Sequence, residues 1–293
     1  MSVTVTPFFH EQTGTASYIV VDITKRHAVI IDSVLDFEIG SGKISTQFAQ
    51  KQLDFLKRHD FNLVCVLDTH AHADHLSAAN FLKSQTGAYT VIGQGILNVQ
   101  ARFADKLNNH QVADGKFAGF DRLVSEGDII EFGSSEVHFL HTPGHTDDSM
   151  SFVIENNVFV GDTLFMPDGG TARCDFPGGD AGLLWQSIEK IHALPDDTHI
   201  WVCHDYQPNG REVDVCTTVG KSKANNIHVG QQSNEQDFIE LRNKRDATLA
   251  APTLLYPSLQ VNLWGGSLPK QENNGMKYIK IPLTVESKSW RDE

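Results

Sequence analysis

Hydrophobic positions in the opening third of the chain fall into short runs that are typical of β-strands. Runs of β-branched and aromatic residues, separated by polar turns, predict strands at Val3–Phe9, Ser17–Ile23 and His27–Asp32. The continuous apolar run Leu63–Asp68 predicts a strand that is buried on both faces. The same reasoning predicts further strands at Tyr89–Ile92, Ile129–Phe132, Val137–His141, Met150–Ile154, Val158–Val160 and Ile200–Cys203.

Apolar residues at helical spacing predict helices between these strands. The predicted helices are Thr46–Arg58, Ala78–Ser84, Ala181–Ala193 and Glu235–Leu249, and Ser45, Asp180 and Asn234 are placed to cap three of them. The polar segment Gln207–Gln232 is predicted to be a long loop, and the apolar run Leu254–Leu263 is predicted to be extended. Strands dominate and helices lie between them, which indicates a layered α/β sandwich with functional loops at strand ends.

Composition and charge exclude several kinds of partner. The chain has 293 residues and a formal net charge of −13, which argues against a nucleic-acid surface. No run approaches the roughly 20 apolar residues that span a bilayer, and the N-terminus lacks the pattern of a secretory signal. The four cysteines form no Cys-x-x-Cys pair. We therefore expect a cytoplasmic enzyme with reduced thiols that binds neither nucleic acid nor membrane.

Candidate chemistry lies at the ends of four predicted strands. His70-Ala71-His72-Ala73-Asp74-His75 follows the buried run Leu63–Asp68, and three shorter motifs follow later strands. These are Pro143-Gly144-His145, Gly161-Asp162 and Cys203-His204. Each shorter motif alone would be an ordinary turn or a structural histidine, whereas the four together indicate a metal site. Imidazole and carboxylate donors suit zinc, manganese and non-haem iron alike.

The order of these four motifs resembles that of the metallo-β-lactamase superfamily. The resemblance implies an α/β fold, a four-layer αββα sandwich, in one domain over residues 1–293, with a core of about 1–206 and an extension of about 207–293. Three further pieces are similar to the persulfide dioxygenases, namely Gly161–Phe165, Arg173-Cys174-Asp175-Phe176 and His204-Asp205-Tyr206. Two stretches of the extension, Phe238–Arg242 and Pro257–Asn262, are also like that subfamily.

The subfamily resemblance implies a reaction and a role for each site residue. One ferrous ion would be bound by His70, His145 and Asp162, and glutathione persulfide and O2 would give sulfite and glutathione. Tyr206 would form a hydrogen bond near the open metal positions, and Arg173 would bind a glutathione carboxylate. The alternatives are a core position for Tyr206 and an ion pair between Arg173 and Asp175. The residues that would orient ligands and water, or bind a second metal, are His72, Asp74, His75 and His204. The resemblance also implies a homodimer.

Two other functions remain open at this point. A glyoxalase-II-like thioesterase would use the same seven residues to bind two metals such as zinc, with Asp162 bridging them. Such enzymes have a helical glutathione-binding region after the final histidine, whereas only one helix is predicted beyond residue 206, which favours the dioxygenase. A non-catalytic metal sensor would predict an incomplete set of ligands, and the set here is complete.

Overall fold

The computed structural model describes residues 2–109 and 119–284, and most of its strands lie in two six-stranded sheets. The strands, in chain order, are β1 Val3–His10, β2 Thr15–Asp22, β3 His27–Ile31, β4 Val34–Glu38, β5 Lys43–Ser45, β6 Asn62–Leu67, β7 Leu76–Ser77, β8 Tyr89–Gly93, β9 Arg122–Val124, β10 Ile129–Phe132, β11 Ser135–His141, β12 Met150–Ile154, β13 Asn157–Phe159, β14 His199–Trp201 and β15 Cys216–Thr218. The helices are α1 Gln47–Arg58, α2 Ala79–Thr86, α3 Ile96–Ala104, α4 Ala181–His192, α5 Val219–Asn225, α6 Glu235–Asp246 and α7 Leu255–Asn262.

The predicted motifs lie at the ends of interior strands of the two large sheets. The first sheet has the order β1-β2-β3-β6-β8-β9, and its last four strands are parallel neighbours. The second sheet has the order β10-β11-β12-β13-β14-β15, and only β13 and β14 pair in parallel. Strands β5, β4 and β7 form a small third sheet. The loop after β6 carries His70, His72 and His75, and the loops after β11, β13 and β14 carry His145, Asp162 and His204.

Alternating side chains of the central strands contribute to two different cores. Val20 on β2 packs in the cluster shared with Phe139 and Phe152 of the second sheet. Its neighbours Ile19 and Val21 belong instead to the cluster that contains residues of α1 and α2. This alternation follows from the two-residue period of a strand, and it builds the predicted four-layer αββα sandwich. The fold prediction is confirmed.

The predicted strands and four predicted helices are present, with boundaries shifted by a few residues. The largest shift is at α6, which ends at Asp246 rather than Leu249. Helix α3 and the short strands β4, β5, β7 and β9 were not predicted from the sequence. Among the described residues, no helix has both the length and the apolar character needed to cross a membrane.

Two predictions for the extension are wrong. The run Leu254–Leu263 is not extended, because α7 occupies Leu255–Asn262. Pro257 lies in the first turn of α7, where a missing N–H removes no helical hydrogen bond. The segment Gln207–Gln232 is not one long loop either, since it contains a 3-10 turn at Pro208–Gly210 together with β15 and α5.

Three helices, rather than one, therefore follow His204 in the described part of the chain. The number of helices after His204 therefore does not favour the dioxygenase over the thioesterase.

Candidate metal centre and active site

The loop that carries the first four candidate ligands is bound to Asp32 at the end of β3. Asp32 Oδ1 accepts a hydrogen bond from the Thr69 N–H at 2.7 Å, and Asp32 Oδ2 accepts one from the Thr69 hydroxyl at 3.0 Å. His72 Nε2 lies 3.0 Å from Asp32 Oδ1, and His70 Nδ1 lies 3.1 Å from Thr69 Oγ1. Asp32 thus fixes the backbone that leaves β6 and the orientation of two imidazoles.

Two glycines allow the other motifs to approach this loop. Gly161 has φ +52°, and a Cβ there would lie 2.6 Å from Thr69 Oγ1. Gly144 has φ +137°, and a Cβ there would lie 2.3 Å from the Leu184 nitrogen of α4. Any other residue would be strained and would clash, which explains the glycine before Asp162 and the glycine before His145.

His70, His145 and Asp162 form one buried group. One donor atom from each residue lies within 4.8 Å of the other two. His145 Nε2 is 3.6 Å, and His70 Nε2 is 4.0 Å, from Asp162 Oδ2. The structure therefore brings together the three residues that were predicted to bind iron.

The remaining candidate ligands form a second group on the other side of Asp162. Asp74 Oδ2 lies 3.1 Å from His75 Nδ1 and 3.3 Å from His204 Nε2. His204 Nε2 lies 3.4 Å from Asp162 Oδ1. The two oxygens of Asp162 consequently face different groups, and the carboxylate lies between them.

Several buried polar atoms of the two groups have no hydrogen-bond partner. They are His72 Nδ1, His75 Nε2, Asp162 Oδ1 and His204 Nε2. Leaving such atoms unpaired in the interior is costly, and a bound cation would satisfy them. Burial, reinforced by neighbouring histidines, lowers the pKa of both His70 and His72 well below the ordinary value, so these imidazoles are neutral, as a metal ligand must be. The residues fit a metal.

Backbone carbonyls orient the two histidines contributed by later strands. His145 Nδ1 lies 2.8 Å from the Arg173 carbonyl oxygen, and His204 Nδ1 lies 3.1 Å from the Gly14 carbonyl oxygen. A carbonyl only accepts, so each Nδ1 carries the proton and donates it. The Nε2 lone pair of each ring is then free to bind a metal.

A cavity of about 330 Å³ opens over the group of His145 and Asp162. Tyr206 lines it with a ring that is stacked on His204, at 5.7 Å between centroids and 8° between planes. Because Tyr206 is 64% exposed, the alternative of a core tyrosine is wrong. The phenol lies at the cavity wall, where it was predicted to meet substrate.

Arg173 also lines the cavity, but its guanidinium is already bound. Arg173 donates from Nε and Nη2 to the two oxygens of Asp175, each at 2.6 Å, and from Nη1 to the Ala250 carbonyl oxygen at 2.8 Å. The ion pair with Asp175 that the sequence left open is formed. The exposed Arg245 lines the same cavity, and its Nη1 lies 3.3 Å from His228 Nε2. The substrate role of Arg173 stays a prediction.

The sequence profile of the metallo-beta-lactamase superfamily matches residues 11–204, from the turn before β2 to the last candidate ligand. This chain belongs to the metallo-β-lactamase superfamily. The superfamily binds metals, and the match covers every candidate metal ligand described above.

Similar members of the superfamily have names that differ in function. The chain is 46% identical over 286 residues to a beta-lactamase hydrolase-like protein of Agrobacterium fabrum, covering 97% of this chain and 65%, less than two thirds, of that protein. It is 43% identical over 274 residues to glyoxylase B2 of Dictyostelium discoideum, covering 93% and 94% of the two chains. It is 30% identical over 202 residues to the human mitochondrial persulfide dioxygenase ETHE1, covering 68% and 66%.

A solved superfamily structure extends the likeness to the C-terminal region. The crystal structure of ETHE1 from Myxococcus xanthus superposes with a TM-score of 0.72 at 28% identity. The match covers 90% of this chain and 100% of that chain, so it includes residues beyond the end of the profile.

In this superfamily member, α7 binds the metal-ligand loop directly. Asn262 donates from Nδ2 to the carbonyl oxygens of His72 at 2.8 Å and His75 at 2.7 Å. Its Oδ1 accepts a hydrogen bond from the Ser77 N–H at 2.7 Å. Sequence reasoning missed this role, although Asn262 stands in the stretch Pro257–Asn262 that resembles the persulfide dioxygenases.

Helix α6 supports the opposite wall of the site. The buried Arg242 donates to the Thr171 carbonyl oxygen at 3.0 Å and pairs with Asp246 one turn along the helix. Asp246 Oδ2 accepts a hydrogen bond from the Cys174 N–H at 2.7 Å. The segment fixed on both sides includes Arg173, whose carbonyl orients His145.

Proposed function

We propose that this chain is an iron-dependent persulfide dioxygenase, which oxidises glutathione persulfide or a similar low-molecular-weight persulfide to sulfite. The proposed reaction is R–S–SH + O2 + H2O → R–SH + SO3²⁻ + 2 H⁺. The terminal sulfur loses four electrons, which O2 accepts. The S–S bond breaks, and the inner sulfur leaves as the thiol.

The observation that carries this proposal is the composition of the first metal group. His70, His145 and Asp162 supply two histidines and one carboxylate, the donor set of non-haem iron oxygenases, which leaves metal positions open. His72 is not in this group, since its Nε2 is bound to Asp32 and its donor atoms group with Asp74 and His75, although its ring lies 4.1 Å from that of His70. A four-ligand hydrolytic site would include His72 in the first group.

Ferrous iron bound there would supply the one-electron chemistry that couples the persulfide to dioxygen. The protein supplies binding and orientation. The Arg173 carbonyl orients the imidazole of His145, and the Thr69 hydroxyl orients that of His70. Tyr206 and Phe165 line the cavity next to Asp162. Although burial opposes it, the carboxylates of Asp162 and Asp74 raise the pKa of His204. His204 Nε2 lies close to both carboxylates, 3.3 Å from Asp74 Oδ2 and 3.4 Å from Asp162 Oδ1.

The cavity and the relatives support a substrate that carries carboxylates. A volume of about 330 Å³ lies within the range of ordinary small-molecule sites, and three arginines, Arg173, Arg242 and Arg245, line the cavity. The likeness to the human persulfide dioxygenase and to the Myxococcus xanthus ETHE1 structure supports the persulfide.

One specific observation favours a second candidate, a glyoxalase-II-like binuclear hydrolase of a glutathione thioester. Asp162 Oδ1 faces His204 and has no hydrogen-bond partner, so the carboxylate is placed to bridge two metals. The helices that follow His204 fit this candidate as well as the dioxygenase, and glyoxylase B2 is a relative at 43% identity.

Elemental analysis of anaerobically purified protein, combined with two activity assays, separates the candidates. About one iron per chain and oxygen uptake on addition of glutathione persulfide are expected. Two metals per chain, no oxygen uptake, and hydrolysis of S-lactoylglutathione would instead establish the hydrolase and overturn the proposal.

A further inference from the structure

We propose that a narrow apolar pocket beside His145 is a binding site and entry route for dioxygen, distinct from the cavity that receives the persulfide. The proposal rests on the proposed function. It is carried by the composition, the size and the position of the pocket.

The residues that line the pocket include a candidate metal ligand and residues at the surface. Its inner end is formed by Ala71 and His145, which are both buried, and its outer end by the exposed Pro177 and the half-buried Leu255. Val99 of α3 and Leu259 of α7 line it between these ends, and both are buried. The pocket thus leads to a candidate metal ligand between helices that have no candidate ligand of their own.

The polar groups along this pocket are already paired. Asp147 accepts hydrogen bonds from Arg102 Nη1 at 3.0 Å and Nη2 at 2.6 Å. The Thr146 hydroxyl lies 2.7 Å from the Ser149 hydroxyl, and His145 Nδ1 is bound to the Arg173 carbonyl. Water entering the pocket would find few partners, and apolar cavities of this kind stay dry and take up apolar gases.

The size of the pocket selects a very small ligand. Its internal volume is about 20 Å³, whereas a single water-sized occupant needs roughly 10–15 Å³. A diatomic molecule fits, but a glutathione moiety does not. Dioxygen is both apolar and diatomic, and it is the co-substrate that the proposed reaction consumes.

Phe176 separates this pocket from the persulfide cavity. It lines both of them, with its ring edge-on to His145 at 5.2 Å between centroids and with the Arg173 guanidinium 5.0 Å from the ring centre on the cavity side. A persulfide bound in the larger cavity would leave the smaller pocket open. Two substrates could then reach the same metal group from two directions.

Filling the pocket with Val99→Phe tests this kinetically. We expect kcat/KM for O2 to fall by about fivefold or more, while kcat/KM for glutathione persulfide at saturating O2 stays within about twofold. Leu97→Phe is the matched control, because Leu97 is half-buried on the same helix and does not line the pocket. Val99→Leu gives a graded, milder version in case the larger ring prevents folding.

Crystals frozen under pressurised dioxygen supply a readout that is independent of activity. Wild-type crystals are expected to show dioxygen between Val99 and Leu259, and crystals of the Val99→Phe or Val99→Leu variant are expected to show less or none. An empty wild-type pocket under dioxygen pressure, or a folded Val99→Phe enzyme with unchanged kcat/KM for O2, would overturn the oxygen site alone. A wild-type protein that takes up no oxygen with persulfide would overturn the proposed function, and the oxygen route with it.

Discussion

The side-chain amide of Asn262 lies 2.8 Å from the carbonyl oxygen of His72, although 190 residues separate the two positions. The same amide binds the His75 carbonyl, so one side chain of α7 spans both ends of the Asp74 turn. The geometry of the candidate ligands therefore depends on the extension as well as on the superfamily core.

Asn262→Asp should weaken metal binding. A carboxylate cannot donate to the carbonyls of His72 and His75, and it brings negative charge against both. Loss of an orienting contact of this kind typically lowers metal affinity by about 10- to 100-fold. Competition with a chelator measures the effect. Gln260→Glu makes the same chemical change on the same helix, where Gln260 Nε2 binds the carbonyls of Tyr256 and Lys280, and it should leave metal affinity unchanged.

His204→Ala should distinguish one metal from two without reference to activity. With a single iron bound by His70, His145 and Asp162, the variant should keep about one iron per chain, since His204 Nε2 only meets Asp74 and Asp162. Asp162→Ala should lose the metal entirely. A fall from two metals to one on replacing His204 would instead indicate a binuclear centre. Metal analysis of both variants after anaerobic purification is the measurement.

Arg173→Ala should mainly raise the apparent KM for glutathione persulfide if its guanidinium binds a substrate carboxylate. Loss of one charge-assisted hydrogen bond would correspond to about a tenfold increase. The ion pair with Asp175 competes with this role, and Arg245→Ala is therefore the informative companion variant. A raised KM in the Arg245 variant together with an unchanged KM in the Arg173 variant would assign the contact with the substrate carboxylate to Arg245 on α6.

His192, which is not part of the metal centre, should make the free energy of unfolding depend on pH. Burial lowers the pKa of His192 from 6.5 to about 4, with its Nε2 bound to the Ser222 hydroxyl. Because this pKa is lower in the folded protein, the unfolded chain takes up the proton at a higher pH than the folded protein does. The free energy of unfolding is therefore highest above pH 6.5, and it falls by up to about 3 kcal/mol as the pH decreases towards 4.

Urea unfolding between pH 4 and pH 7 tests this dependence. His192→Asn should flatten the pH profile of the unfolding free energy relative to the wild type. His138→Asn, at an exposed position on β11, should leave the profile unchanged. An equally steep profile in the His192 variant would contradict the assignment.

Local signals made much of the fold and the ligand set predictable. The apolar run of β6 leads directly into the His70–His75 loop, so one contiguous stretch of sequence predicts both the strand and the ligands that follow it. The glycines before His145 and Asp162 stand beside their ligands in the sequence for a steric reason that the structure shows.

Contacts between distant parts of the chain were not predictable in the same way. Asn262 and Arg242 act on loops about 190 and 71 positions away, and no pattern in one sequence records such pairings. Helix α7 was misread because Pro257 and a run of apolar residues suit an extended segment as well as the first turn of a buried helix. Without α7, the sequence predicts too few helices after His204, and this shortage wrongly favours the dioxygenase over the thioesterase.

The contact between Asn262 and the His72 loop also bears on the order of events during protein synthesis. The loop leaves the ribosome long before α7 exists, and at about 5–20 residues per second the intervening chain takes roughly 10–40 seconds to make. During that interval the histidines emerge without the amide that binds their backbone. The candidate ligands of a nascent chain are therefore exposed before the side chain that fixes their loop has been made.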